Sequence, residues 1–309
     1  MRKHLIDKLL ARAEVDQKVF LLIGDLGYSV VEKFRDKFPE RFLNLGVSEQ
    51  AGIGIAAGLA ATHLPVYYSI GNFPSFRCLE QIRNDVAHEQ NPVMIVSLGA
   101  GFSYGTAGYS HHAIEDAGAV ASIFGMRVAT PSCIHELDQI LEGHWQTPAP
   151  VYLRLGSAET CDSCLTQVPA SLGHQARGAK SKSDTLSDKL LLVTHGEIGK
   201  EARVAISDSG ANVTHVSLSE FNSFDTPTLN FISSHQRVIT VEEHAAEFGF
   251  GARIRSRLAN VNFESFEIIG VPMLDFHIGG RREFHLERSE LDRVSLSDRL
   301  RKANARPLK

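Results

Sequence analysis

Short apolar runs alternate with helical patterns along the first half of the chain, and glycines such as Gly24 and Gly99 close two of the runs. We predict that five of these runs are strands: Val19–Ile23, Pro65–Ile70, Pro92–Leu98, Met126–Thr130 and Val151–Leu155. Helical patterns lie between them, for example over Phe76–Glu89 and Ile134–Glu142. Strands separated by helices predict a parallel sheet with helices on both faces.

The second half shows the same alternation after a change in composition near Gly156. Residues 158–189 are rich in Ser, Ala, Lys and Asp and show no periodicity, which is typical of a linker. The strands predicted after it are Leu190–Thr194, Val213–Leu218, Arg237–Val241 and Phe266–Val271. We therefore predict an α/β protein with two consecutive parallel-sheet α/β domains, residues 1–160 and 189–309, joined by a linker over residues 161–188.

Composition places the chain among ordinary globular proteins, since 43% of its 309 residues are hydrophobic and 22% are charged. A net charge of −4 provides no broad basic face, so we predict no nucleic-acid partner. No apolar stretch approaches the ~20 residues of a membrane span, so we predict no membrane partner. Asp7 and Lys8 interrupt the apolar opening segment, which favours an amphipathic helix over a signal peptide and predicts a cytoplasmic location.

The four cysteines are Cys78, Cys133, Cys161 and Cys164, too few for a disulfide framework in a chain of this length. Cys161 and Cys164 have the spacing of metal ligands, but no second pair follows them. Two thiols in a loop are the favoured interpretation. We predict that this chain supplies no metal ligand.

Glu49 is the candidate functional residue that the sequence indicates most clearly. It follows the run Arg41–Ser48 and precedes a small-residue stretch, Ala51–Ala61, that is typical of a tightly packed buried helix. Apolar surroundings favour the protonated form of a carboxyl group. A protonated carboxyl can donate a hydrogen bond to a nitrogen of a heterocycle. The alternative is a glutamate that only stabilises the positive end of the helix dipole.

This run resembles the pyrimidine-binding domain of the transketolase family, which includes deoxyxylulose-phosphate synthase and the β subunits of the 2-oxo-acid dehydrogenases. The resemblance implies that thiamine diphosphate is the cofactor and that Glu49 is the acid that activates it. The second half, including Val241-Glu242-Glu243-His244, resembles the C-terminal domain of the same family. The resemblance covers nearly the whole chain and is strongest between Gly24 and Arg154.

The family also has an N-terminal domain that binds Mg²⁺ and the diphosphate through a Gly-Asp-Gly motif, and this chain has no such motif. The resemblance therefore implies a split enzyme, in which a transketolase N-terminal-section subunit provides the Mg²⁺ site, in an α2β2 assembly by analogy. The segment Gly24-Asp25-Leu26-Gly27 matches a different part of the family, so Asp25 and Leu26 are expected to line the thiazolium ring. The alternative is that Asp25 caps the next helix.

An aromatic ring in the family stacks on the aminopyrimidine near the segment that follows Tyr68 in this chain. Phe73 is our first choice for this residue and Phe76 our second, because the spacing does not align without a gap. An aromatic face suits a flat heterocycle. The alternative is that one or both side chains belong to the core.

A glycine-rich segment, Gly99–Gly108, is expected to form a flexible loop over a catalytic cleft. The loop leads into Ser110-His111-His112, where the family has a Thr-His-Gln motif whose histidine contacts the sugar substrate. The resemblance implies that His111 is catalytic and binds substrate, since imidazole can exchange protons near neutral pH. His112 is an additional candidate for substrate binding. Solvent exposure of both histidines is the alternative.

The sequence departs from that of bulk-metabolism transketolases at positions that, in the family, contact the substrate. Their aspartate four positions before the substrate histidine is replaced by Ala107, and their phosphate-contacting histidine falls at Gly99. The arginine of the later strand has a counterpart, Arg154, which is expected to bind substrate; a structural ion pair is the alternative. These departures favour an unusual or unphosphorylated ketose.

The resemblance implies a β-type subunit of a thiamine-diphosphate-dependent transketolase, an enzyme that transfers a two-carbon ketol unit between small-molecule sugars and is active only with its partner subunit. Three alternatives stay open from the sequence. They are the β subunit of a 2-oxo-acid dehydrogenase, an acyl transferase similar to deoxyxylulose-phosphate synthase, and a non-catalytic structural subunit.

Overall fold

Two parallel β-sheets organise the chain, and the computed structural model describes residues 1–156, 190–272 and 278–305. The strands of the first sheet are β1 (Val19–Ile23), β2 (Phe42–Asn44), β3 (Leu64–Ile70), β4 (Met94–Leu98), β5 (Arg127–Ala129) and β6 (Val151–Leu155). They lie in the order β2-β1-β3-β4-β6-β5, and every neighbouring pair is parallel. All five positions of β4 are buried, as expected for a central strand with both faces covered.

Helices cover both faces of this sheet. They are α1 (Arg2–Val15), α2 (Glu32–Lys37), α3 (Glu49–Leu59), α4 (Asn72–Phe76), α5 (Leu79–Gln81), α6 (Asp116–Ala121) and α7 (Ile134–Gln146). Helix α7 shows why such segments form, because Leu137, Ile140, Leu141 and His144 recur at helical spacing and are buried.

The second domain has a four-stranded parallel sheet. Its strands are β7 (Leu190–His195), β8 (Val213–Ser217), β9 (Arg237–Ala245) and β10 (Ser265–Val271), in the order β10-β9-β7-β8. Its helices are α8 (Gly199–Ser209), α9 (Thr226–Ser233), α10 (Phe250–Arg257), α11 (Arg282–Arg288) and α12 (Arg293–Asn304). The predicted fold, two consecutive parallel-sheet α/β domains, is confirmed.

The predicted linker and the pair Cys161 and Cys164 lie outside the described residues, so the domain boundaries stay predictions. Among the described residues, Cys78 and Cys133 are buried, and neither is in a disulfide. No described helix has both the length and the apolar character needed to cross a membrane.

The helix predicted over Phe76–Glu89 consists of several pieces. Helix α4 already ends at Phe76, α5 follows it, and the segment Ile82–His88 is a π-helix. A π-helix closes i→i+5 hydrogen bonds and therefore accommodates more residues per turn than an α-helix. Such segments are frequent at functional sites.

The two domains share packed surfaces. Phe102 and Ile114, which belong to the first domain by sequence, lie in the same buried cluster as Leu190 and Leu192 of the second domain. The edge strand β5 also receives a short antiparallel contact from the second domain, since Thr130 N donates to Ser219 O at 2.8 Å. This contact covers a sheet edge that would otherwise be open.

Candidate active site at the carboxyl edge of the first sheet

Four neighbouring strands, β2, β1, β3 and β4, bring the predicted site residues to one edge of the first sheet. Asp25 follows β1, Glu49 follows β2, Phe73 follows β3 and His111 follows β4. Because the strands are parallel, their carboxyl ends meet at the same edge, where open α/β sheets bind their ligands. The topology therefore collects residues that are widely separated in the sequence.

Glu49 is the first residue of α3 and is only 6% exposed. Helix α3 approaches β3 closely at Gly52, where a Cβ atom would lie 2.5 Å from the Tyr67 ring. The small residues of the helix thus allow the contact that buries the carboxyl group. The Glu49 carboxylate accepts a hydrogen bond from Arg77 Nη1 at 3.0 Å.

Phe73 connects this carboxyl group to the histidine loop. Its ring lies 5.3 Å from the His111 ring in an edge-to-face arrangement, and the Arg77 guanidinium lies 4.4 Å from its centroid. Phe76, at the end of α4, is 45% exposed. The structure therefore brings Phe73 together with His111 and, through Arg77, with Glu49. The assignment of either aromatic residue to a cofactor ring stays a prediction.

The two adjacent histidines have different environments. His111 is half-buried, contacts Phe73, and its Nδ1 is hydrogen-bonded to the Ser110 hydroxyl at 3.0 Å. His112 is fully buried, and its Nε2 donates to Gly105 O at 3.0 Å. Burial lowers the pKa of His112, which favours the neutral ring. This geometry supports a site role for His111 and a packing role for His112, whose predicted substrate contact stays a prediction.

The glycine-rich loop is packed against the second domain instead of being the open, flexible loop expected from its composition. A Cβ at Gly101 would lie 2.4 Å from Oε1 of Glu243, and one at Gly105 would lie 2.6 Å from the carbonyl oxygen of Gly280. Phe102 N donates to Glu243 Oε1 at 2.7 Å. Arg282 Nη2 donates to Glu243 Oε2 at 2.6 Å. The glycines therefore permit close contact, and a carboxylate of the second domain fixes the loop that carries His111.

Arg154 lies in the interior and is 2% exposed. Its Nε donates to Asp116 Oδ2 at 3.0 Å, and its Nη2 donates to Ala113 O at 2.6 Å. Tyr152 donates to the same Asp116 oxygen at 2.9 Å. Burial opposes ionisation of Asp116, but the Arg154 guanidinium holds the pKa of this carboxyl below its usual value. The geometry favours the structural ion pair, and the predicted substrate role of Arg154 stays a prediction.

Asn44, which the sequence patterns did not single out, is hydrogen-bonded to the candidate residue Asp25. Asp25 has a φ of 52°, and its N–H donates to Asn44 Oδ1 at 3.2 Å. Asn44 Nδ2 donates in turn to Asp25 Oδ1 at 3.3 Å. Asn44 thus stabilises a left-handed conformation that is unfavourable for aspartate. Asp25 does not cap α2, which begins at Glu32. The signal in the sequence was an asparagine two residues before Gly46, a pattern typical of a turn.

A surface depression of about 440 Å³ lies beside the Glu49 carboxyl group. Its lining residues are Val47, Ser48, Glu49, Gln50, Ala51 and Arg77. A buried carboxyl group and the neighbouring Phe73 ring suit a flat, nitrogen-containing ring. Within the described ranges, no group of three or more His, Cys, Asp or Glu side chains is arranged to hold a metal ion.

Family models match both halves of the chain. The model of the transketolase pyrimidine binding domain matches residues 1–161, and the model of the transketolase C-terminal domain matches residues 179–278.

Two relatives have similar lengths. The chain is 28% identical over 279 residues to a subunit of the apulose-4-phosphate transketolase of Phocaeicola vulgatus, covering 88% of this chain and 87% of the relative. It is 29% identical over 308 residues to a putative transketolase C-terminal section of Methanocaldococcus jannaschii, covering 97% and 95% of the two chains.

A solved structure agrees with these sequence relationships. It is described as a split gene transketolase, inactive beta4 tetramer, and it superposes with a TM-score of 0.79 at 25% identity. The superposition covers 98% of this chain and 97% of that one. The chain therefore belongs to the transketolase family, whose pyrimidine-binding and C-terminal domains it contains.

Proposed function

We propose that the chain is the β-type subunit of a split transketolase that depends on thiamine diphosphate and transfers a two-carbon ketol unit between sugars. The observation that supports this best is the meeting of Glu49, Phe73 and His111 at the carboxyl edge of a transketolase-family domain. Relatives of similar length are named as one subunit or one section of a transketolase, which supports a divided enzyme.

The described residues fit the ring end of this cofactor. When bound, thiamine diphosphate supplies a nucleophilic carbon and an electron sink for the transferred unit. Phe73 presents an aromatic face, on which a flat ring can stack. Glu49 places a carboxyl oxygen where a ring nitrogen can hydrogen-bond to it, since the carboxyl group is buried beside the depression. Asp25 and Leu26 are proposed to line the thiazolium side.

His111 is the proposed residue for substrate oxygens. The Ser110 hydroxyl contacts Nδ1 of His111, and the Phe73 ring restricts the imidazole from one side. An oriented imidazole can exchange a proton with a carbonyl or hydroxyl oxygen of a sugar. Glu243 assists indirectly, because it fixes the start of the same loop through Phe102 N.

A partner subunit completes the proposed site. The depression beside Glu49 offers a carboxyl group and an arginine, and the described residues offer no cluster for a divalent metal ion. We therefore assign Mg²⁺ and the diphosphate contacts to a transketolase N-terminal-section subunit, in an α2β2 assembly. A cytoplasmic location completes the proposal, as expected for an enzyme that acts on small sugars.

The test is reconstitution with a candidate N-terminal-section subunit in the presence of thiamine diphosphate and Mg²⁺. Ketose phosphates, including apulose 4-phosphate as named for the relative, are supplied as donors beside unphosphorylated ketoses, with aldose acceptors. We expect ketol transfer, and we expect Glu49→Gln to lower turnover by about 10²–10⁴-fold, the range for a lost acid–base group. Glu89→Gln, at an exposed position, is the matched control and should retain activity.

Size-exclusion chromatography of each variant with the partner separates loss of chemistry from loss of assembly. Transfer from pyruvate to a lipoyl group would indicate a 2-oxo-acid dehydrogenase subunit instead. Condensation of pyruvate with an aldose phosphate would indicate an enzyme similar to deoxyxylulose-phosphate synthase. Unchanged ketol transfer by Glu49→Gln would indicate a structural subunit.

A further inference from the structure

Arg77 makes two contacts with the proposed ring site. Its guanidinium carbon lies 4.4 Å from the centroid of the Phe73 ring, and its Nη1 donates to Glu49 Oε2 at 3.0 Å. The side chain of Glu49 is 7% exposed, whereas that of Arg77 is 54% exposed. One flat cation therefore connects an aromatic face to a nearly buried carboxylate.

These are the same two contacts that the proposed site offers to a flat heterocycle. A guanidinium group is planar, carries N–H donors in its plane and stacks on aromatic rings. An aminopyrimidine is also planar and stacks on an aromatic ring while a nitrogen bonds to a carboxyl group. At a distance of 4.4 Å, the guanidinium leaves no room for a second flat group on that face of Phe73.

We propose that Arg77 is a gating residue of the ring site, which its side chain occupies in the free subunit and must leave before the cofactor ring can bind. This inference rests on the proposed function. The position of Arg77 also provides Glu49 with a cationic partner, so the carboxylate is not left unpaired when no ring is present.

The surroundings of Arg77 suit such a movement. Gln50 Nε2 donates to the carbonyl oxygen of Arg77 at 2.9 Å, which ties its backbone to the start of α3. The side chain itself is more than half exposed and lines the open depression. The backbone can thus remain in place while the guanidinium moves into water, where its hydration replaces the lost contacts.

Binding of thiamine to the purified full chain tests the proposal, because thiamine has the ring and lacks the diphosphate that needs the partner. Affinities are measured by ligand-observed NMR. We expect Arg77→Gln to bind thiamine about tenfold more tightly than the unchanged chain, equivalent to about 1.4 kcal/mol. Arg83→Gln removes the same charge from an exposed position on the following π-helix and should bind as the unchanged chain does.

Two further variants keep the result interpretable. Arg77→Lys retains a cation beside Glu49 and loses the planar group, so we expect a folded protein with intermediate affinity. Phe73→Ala should weaken thiamine binding. Circular dichroism confirms the fold of each variant.

Equal or weaker thiamine binding by Arg77→Gln, or no binding to it, overturns the gating role. If Phe73→Ala weakens binding and Arg77→Gln leaves it unchanged, only the role of Arg77 fails. If thiamine binding is insensitive to Phe73→Ala, both alone and combined with Arg77→Gln, the cofactor ring does not stack on Phe73, and the gating role fails with that assignment. The proposed function is tested separately, by ketol transfer in the reconstituted complex.

Discussion

The contact between Gly101 and Glu243 leads to a quantitative prediction about the loop that carries His111. Gly101 has a φ of 64°, in the left-handed region, and a Cβ there would lie 2.4 Å from Glu243 Oε1. Gly210 has the same φ of 64°, at the end of α8, and a Cβ there would meet no neighbouring atom within 4 Å. Replacing each glycine by alanine thus separates backbone strain from steric collision.

The expected cost of each substitution follows from these contacts. The left-handed conformation costs an alanine roughly 1–2 kcal/mol at either position. At Gly101 the carboxylate of Glu243 must also move, which breaks the 2.7 Å bond from Phe102 N. A hydrogen bond to a charged group contributes about 1.5–3 kcal/mol. We therefore expect Gly101→Ala to lose about 2.5–5 kcal/mol and Gly210→Ala about 1–2 kcal/mol.

Thermal unfolding measured by calorimetry checks this difference. For a chain of 309 residues, 1 kcal/mol changes Tm by about 1.5 °C, so the two variants should differ by about 2–5 °C. Gly101→Ala should also lower turnover in the reconstituted complex, since the loop positions His111. Gly210→Ala should leave turnover unchanged, because it lies at a helix end of the second domain.

A double-mutant comparison isolates the collision. In a Glu243→Ala background the carboxylate is absent, so Gly101→Ala should cost only the backbone strain found at Gly210. Equal Tm values for Gly101→Ala and Gly210→Ala in the unchanged background would refute the reasoning. They would show that the second domain does not constrain this loop.

Two further predictions concern buried ionisable groups. Asp116→Ala should destabilise the chain by about 3–5 kcal/mol, because it leaves Arg154 buried without its negatively charged partner. Asp298→Ala breaks an exposed ion pair with Arg301 and should cost below about 1 kcal/mol. Chemical denaturation measures both free energies of unfolding. Burial and the nearby Arg154 lower the pKa of His195 to about 3 and that of His244 to about 4. The unfolded chain therefore binds more protons below the usual histidine pKa, and each residue should reduce stability by about 1.4 kcal/mol per pH unit as pH falls from 6.5 towards 4. A pH series of Tm in which His195→Gln retains the full slope would contradict this.

Local sequence patterns determined the class of fold and placed the candidate residue Glu49 at the start of a helix, where α3 begins. Apolar runs separated by helical periods predicted two parallel sheets, because alternation of this kind reflects burial on both faces of each strand. The small residues after Glu49 predicted a closely packed helix, and Gly52 indeed contacts the Tyr67 ring. Strand β2 was missed, since its three residues are exposed or half-buried and carry little apolar signal.

Contacts between distant segments were decided only by the tertiary structure. Arg154 was a candidate for substrate binding, yet its partner Asp116 lies 38 positions earlier and the pair is buried. The glycine-rich loop suggested flexibility, but Phe102 is bonded to a carboxylate 141 positions away. Nothing in the sequence near Arg77 indicated that its guanidinium would cover Phe73. The sequence shows which residues can be buried and which carry a charge. Only the tertiary structure determines which of these residues contact each other, because the topology brings distant segments of the chain together.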